Sequence, residues 1–209
     1  MTLYHLLLFV IAAWAAAISQ GNGIVTDEPD LQIGFPADYS VGDIEWRGFE
    51  DFDDGQVFTG TIQNVIEQMR RIKGAHYTPG FMSMSDAENH ALGTNPDHHL
   101  SNTTVQCGGP EADPRRIDQG IDYLNHLPNS SKCSNAAKTC GRISCSWNSA
   151  IWFCNDKTVP SNVYQCNMFG KYAKAIVDEC AIYDRNPRVS GRDFDDGLDL
   201  SVVVKKTSC

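Results

Sequence analysis

All eight cysteines, Cys107, Cys133, Cys140, Cys145, Cys154, Cys166, Cys180 and Cys209, fall in the second half of a 209-residue chain, and none precedes Cys107. An even cysteine number packed into about a hundred residues reads as a disulfide framework, because a small domain buries too little apolar surface to hold itself without staples. Spacing alone leaves the connectivity open. Zinc is the rival use of so many thiols, yet no C-x2-C pair occurs and His126 is the one histidine after Cys107, so no metal is expected.

Charge divides the chain at the same place. Residues 24–106 carry 14 acids and 4 bases, whereas residues 107–209 carry 12 acids and 13 bases. With a net charge of −9 and 42% hydrophobic residues, the chain fits neither a polyanion binder nor a disordered acidic tail, and no nucleic-acid partner is expected.

The segment Leu3–Ile18 is apolar except for His5, and it turns polar at Ser19 after the small residues Ala15 and Ala17. It is shorter than the roughly 20 residues of a membrane-spanning helix, and an A-x-A-like site ends it, so residues 1–19 read as a secretory signal peptide. No membrane span is expected in the mature, extracellular chain. Residues 20–103 then form an acidic, cysteine-free region that includes a linker at 74–103. Residues 104–209 form the cysteine-rich domain.

Within that domain, Asp113-Pro114 is an N-cap with proline at the first helical position, and Ile117, Ile121 and Leu124 recur at helical spacing. A second helix is written by Phe169, Tyr172, Ala173, Ile176, Val177 and Cys180, which puts Cys180 toward the core. Between them, Arg142–Trp147 and Ala150–Cys154 read as a hairpin turning at Asn148-Ser149. That register sets Cys145 opposite Trp152 and Ile143 opposite Cys154, with Trp147 on the same face beneath the second helix. Thr104–Cys107 and Leu198–Lys206 supply outer strands, the latter an edge protected by Lys205-Lys206. The expected class is α+β, two helices on a four-stranded, mainly antiparallel sheet in the order β-α-β-β-α-β.

A small β-β-α region is expected before it, from Ile44 and Trp46, from Val57 and Phe58, and from a helix capped by Thr61. Arg70-Arg71 at the end of this helix is a dibasic pair, either a helix surface or a processing site that would make the acidic region a pro-segment. Asn102-Thr103-Thr104 and Asn129-Ser130-Ser131 are N-glycosylation acceptors. The string Asp-Phe-Asp-Asp-Gly occurs at 51–55 and 193–197 and fails the calcium-loop template, so both copies read as acidic turns. Asp97, His98 and His99 read as a solvated loop.

No G-x-S-x-G elbow, Walker loop or dinucleotide fingerprint appears, and no catalytic residue or cofactor is assigned. The cysteine-rich segment from Cys140 to Asp156, the amphipathic helix into Cys180 and the C-terminal strand ending at Cys209 resemble the small secreted cysteine-rich proteins of filamentous fungi. These include effector candidates with the α/β architecture of killer toxins. The resemblance covers roughly residues 104–209 and implies a non-catalytic protein that binds an extracellular protein or a cell-surface glycan. A small secreted hydrolase using paired carboxylates on cell-wall polysaccharide, or a cell-wall structural component, is the other expectation.

Overall fold

The computed structural model describes residues 35–36, 38–82, 103–160 and 163–209. The signal segment, Asn102 and the Asp97-His98-His99 cluster lie outside the described residues. Among the described residues the fold is α+β, with three helices and with sheets of six and four strands where a four-stranded sheet is expected for the cysteine-rich domain.

The first strands are β1 (Ser40–Val41), β2 (Glu45–Arg47) and β3 (Phe58–Thr59), followed by helix α1 (Ile62–Lys73). A 3-10 turn at Gly80–Met82 ends this part. Then come β4 (Thr103–Ala112), α2 (Pro114–Asn125), β5 (Lys132–Ser134), β6 (Thr139–Ser146) and β7 (Ser149–Asn155). The chain closes with β8 (Tyr164–Gln165), α3 (Met168–Cys180), β9 (Val189–Asp195) and β10 (Leu200–Lys206). One sheet has the order β1-β6-β7-β10-β9-β4 and the other β3-β2-β5-β8. Every pairing is antiparallel except β1 with β6.

Local chemistry sets the helices where the periodicity places them. Asp113 accepts from the Arg115 amide at 2.9 Å and Pro114 opens α2, satisfying one of the free amides of the first turn. Thr61 and Asn64 cap α1 reciprocally, the Asn64 amide donating to the Thr61 hydroxyl at 3.3 Å and the Thr61 amide to Asn64 Oδ1 at 3.1 Å. Helix α3 packs Phe169 on Phe153 of β7, ring centroids 4.5 Å apart.

Four disulfides join Cys107–Cys180, Cys133–Cys166, Cys140–Cys154 and Cys145–Cys209. Cys180 ties α3 to β4, as the helix periodicity implies. The acidic and cysteine-rich stretches are stitched together by strand pairing as well: β2 pairs with β5, and β1 with β6. Trp46, Phe58, Ile62, Val65 and Met69 share one buried cluster with Ile121, Phe153, Phe169 and Ile176.

Two features correct the expected sheet. Strand β9 is not among the expected strands, and its Asp193-Phe-Asp-Asp-Gly197 end, expected as a turn, is extended through Asp195. It pairs with β10 on one side and β4 on the other, so β10 lies inside the sheet and β4 at its edge. Lys205, expected as a solvated edge charge, is only 1% exposed. The hairpin also turns one residue earlier than expected. Ser146 pairs with Ser149, leaving Trp147 and Asn148 as the turn with φ of 51° and 58°. A bulge at Ile143 then shifts the register, so Arg142 opposes Trp152 and Cys140 opposes Cys154. Trp152, Cys145 and Cys154 therefore face away from α3, while Ile151 and Phe153 face it.

Asp193 is fully buried on the helix side of β9. Its two oxygens have no hydrogen-bond partner of normal geometry among the described residues. Burial, with the Asp195 charge adding to it and the Thr103 hydroxyl opposing, pushes this carboxyl up to about 6. The folded protein thus keeps a proton that the unfolded chain releases near pH 4, so this group's stabilising contribution is complete in acid and is lost as pH rises through about 6. Thermal unfolding followed from pH 4 to 7 is expected to show this decline in the wild type relative to D193N, whose uncharged amide removes it.

Candidate functional site

Of Trp147, Trp152, Phe153 and Tyr172, the aromatics of the hairpin and of α3 that could stack on a partner, three are committed to the core. Trp152 and Phe153 are fully buried, and Tyr172 is 2% exposed. Trp147 is different, with 75% of its surface open to solvent. It occupies the first turn position between β6 and β7, where both central residues need left-handed backbone. Asn tolerates that conformation, but a bulky side chain such as Trp is strained by about 1 kcal/mol or more. Strain of this kind persists only where the surroundings hold it.

They do so from three sides. Cys145, one residue before the β6 end, is bonded to Cys209. The Thr207 amide donates to the Asn148 carbonyl at 3.1 Å, clamping the turn to the strand that follows β10. Gln63 of α1 donates to Ser144 Oγ at 2.9 Å and accepts from the Cys145 amide at 3.1 Å. Across the turn, the Asp113 amide donates to Ser149 Oγ at 3.1 Å and brings the start of α2 alongside. Arg116 then lies over the indole with its guanidinium carbon 4.9 Å from the ring centroid. Arg115 beside it is largely solvated, its side chain 73% exposed. The result is a rigid projecting indole braced by one guanidinium and flanked by a second. Stacking on a planar or apolar partner group, with charge-assisted hydrogen bonds from the arginines, is what such a tip can do.

Carboxylate chemistry has its own location. A cleft of about 500 Å³ runs between the 49–51 turn, the 3-10 turn and the end of α2, lined by Phe49, Glu50, Asp51, Tyr77, Phe81 and His126 among others. Tyr77 donates to Asp51 Oδ2 at 2.5 Å, and burial together with that carboxylate drives the phenol well above its ordinary range. The carboxylates lining this cleft, Glu50 and Asp51, are neighbours on the chain. Asp195 is likewise occupied, accepting from Tyr172 at 2.5 Å.

The remaining sequence sites fall as follows. Arg70 and Arg71 lie in the last turn of α1, with Arg70 Nε donating to the Tyr77 carbonyl at 3.3 Å and Arg71 3.5 Å from Glu67. Asn129 is exposed in the turn after α2, where its Oδ1 accepts from Asn167 Nδ2 at 2.7 Å. Asp51–Gly55 is a turn, as expected. Among the described residues no group of three or more His, Cys, Asp or Glu is placed to hold a metal, and no helix is long and apolar enough to cross a membrane. The Trp147 tip was missed because the assumed turn moved it into a strand. The one local signal for it is Asn148, a residue type that tolerates left-handed backbone.

No protein-family model matches the chain, and none of the curated proteins or solved structures matches it either.

Replacing the turn by Asn-Gly, the pair best suited to two left-handed residues, isolates the cost of the tip. The W147N/N148G double variant is expected to unfold in urea with a stability gain of about 1 kcal/mol. An unchanged or lower midpoint contradicts the strain assigned to Trp147.

Proposed function

We propose that the protein is a secreted, disulfide-stapled, non-catalytic binding protein of the effector or killer-toxin-like kind. It acts outside the cell on a host or competitor surface, and it makes contact through the Trp147 tip. One observation carries the reading: a tryptophan 75% exposed, held in left-handed backbone and braced by Arg116. Tryptophan and arginine dominate the residues that supply binding energy at protein interfaces, and a rigid anchor loses little entropy on docking. Four disulfides are typical of extracellular proteins and support the location. The partner in this reading is an extracellular protein or a cell-surface glycan.

The reading keeps the acidic half attached. Cleavage after Arg71 would have to unwind the last turn of α1, and loss of the preceding residues would uncover Trp46, Phe58 and Val65. A hydrolase acting on cell-wall polysaccharide is the second reading, and the cleft carrying Glu50 and Asp51 is the observation that favours it.

Fluorescently labelled full-length protein, applied to intact host or competitor cells, tests both. Binding by W147A is expected to fall by at least about tenfold with an unchanged thermal midpoint, since the indole is outside the core. Equal binding by W147A overturns the assignment of the tip. Turnover of a cell-wall polysaccharide that is lost in E50Q or D51N overturns the non-catalytic reading.

A further inference from the structure

The cleft beside the 3-10 turn is walled by acids and aromatics. In about 500 Å³ it holds Glu50 and Asp51 together with Phe49, Tyr77 and Phe81. A second cleft of about 470 Å³ adjoins it, sharing Phe81 and His126 and adding Asp122 and Tyr123. Phe49 and Phe81 are buried, their ring centroids 6.0 Å apart, so the rings form a floor, whereas Glu50, Asp51 and Asp122 are exposed around it.

The charge of these walls has one sign. No Lys or Arg is among the described residues lining either cleft. None of the three carboxylates is ion-paired among the described residues. Asp51 accepts from the neutral Tyr77 hydroxyl at 2.5 Å, which fixes its position and leaves its charge in place. The nearest cations work on backbone instead: Arg70 Nε donates to the Tyr77 carbonyl at 3.3 Å and Lys132 Nζ to the Asn129 carbonyl at 3.2 Å. His126 stands between the two clefts with Nδ1 2.5 Å from the Asp122 carbonyl, an arrangement that uses the Asp122 backbone and not its carboxylate.

We propose that the paired clefts bind a basic segment of a protein partner, an extended stretch whose arginine or lysine side chains enter them. A recess with walls of one charge and an apolar floor focuses the field on an incoming cation. The aromatic rings accept the apolar stem and add cation–π attraction. Each volume lies in the range of roughly 300 to 1,000 Å³ found for ligand sites. Two acid-bearing clefts in succession match alternate side chains of an extended segment, which stand about 7 Å apart, whereas a lone small cation fills only one. This inference does not rest on the Trp147 tip, and it makes the carboxylates counter-ions where the hydrolase reading makes them acid and base.

Titration of the full-length, isotope-labelled protein by two-dimensional NMR tests it. The probes are a capped Arg-Ala-Arg-Ala-Arg peptide, its Glu-Ala-Glu-Ala-Glu counterpart and methylguanidinium chloride. Saturable shifts at Glu50, Asp51, Phe81 and Asp122 are expected with the arginine peptide, with affinity falling as sodium chloride is raised. The E50Q/D122N double variant, changed only at exposed carboxylates, is expected to weaken binding about tenfold, as loss of two partly exposed ion pairs implies. Absent or unsaturable shifts in the wild-type protein overturn the proposal without reference to any variant. So do shifts spread equally over Asp53, Asp54 and the other acidic turns, which would mean attraction by net charge alone. Equal affinity for the glutamate peptide or for methylguanidinium, or unchanged affinity in the double variant, also overturns it. Polysaccharide turnover does not enter these outcomes, so the hydrolase reading stands or falls separately.

Discussion

Strand β7 is buried along all seven of its residues, and this burial on both faces is the constraint from which the architecture follows. A strand reading Ser-Ala-Ile-Trp-Phe-Cys-Asn has no solvent side, so the sheet needs two covers. Helices α2 and α3 cover one face through Ile151 and Phe153. The other face carries Trp152 with Cys140, Cys145, Cys154 and Val203, and its cover comes from the N-terminal stretch, where Phe35 meets Trp152 edge-on at 5.1 Å. Tyr39 continues that cover, donating to Asp156 at 2.7 Å. Composition separates the two halves of the chain, but the need to cover β7 joins them.

Several charged groups lie where a stability argument alone would not put them. Asp193 sits among apolar side chains under α3, Lys205 lies under Phe35, and Arg192 lies against Phe194. Burying an ion costs several kcal/mol unless partners replace its water, so these positions require either compensation or protonation. Protonation is the route open to Asp193, and aromatic faces with Asp156 and Ser201 serve the cations. The disulfides supply part of the stability that such placements subtract. Cys107–Cys180 closes 73 residues of sequence, a loop whose entropy loss is worth about 4 kcal/mol in the chain-entropy description.

Local signals suffice for the helices and for most of the strands, and fail for β9 and for the hairpin register. The α2 start was legible because Asp113-Pro114 acts within one turn, and Thr61 capped α1 for the same reason. Strand β9 was illegible because Ser190-Gly-Arg-Asp-Phe-Asp alternates charge and small residues. Only its pairing with two neighbours makes the segment extended. The hairpin register failed on a single residue, since period-two patterning flips every side chain when the turn moves by one. That shift sends Trp147 from the expected core face to the surface, and the bulge at Ile143 adds the further step that places Trp152 opposite Arg142.

By itself the sequence determined the α+β class, the cysteine framework, the capped helices and the split in charge. Each of these depends on composition or on contacts within a few residues. Tertiary structure decided the disulfide partners, the second sheet, the burial of Lys205 and the exposure of Trp147. Those outcomes depend on which strand lies beside which, and pairings such as β2 with β5 or β4 with β9 join residues at least 77 positions apart. No local pattern records such a pairing, because its energy comes from covering surfaces that do not exist until the sheet is assembled.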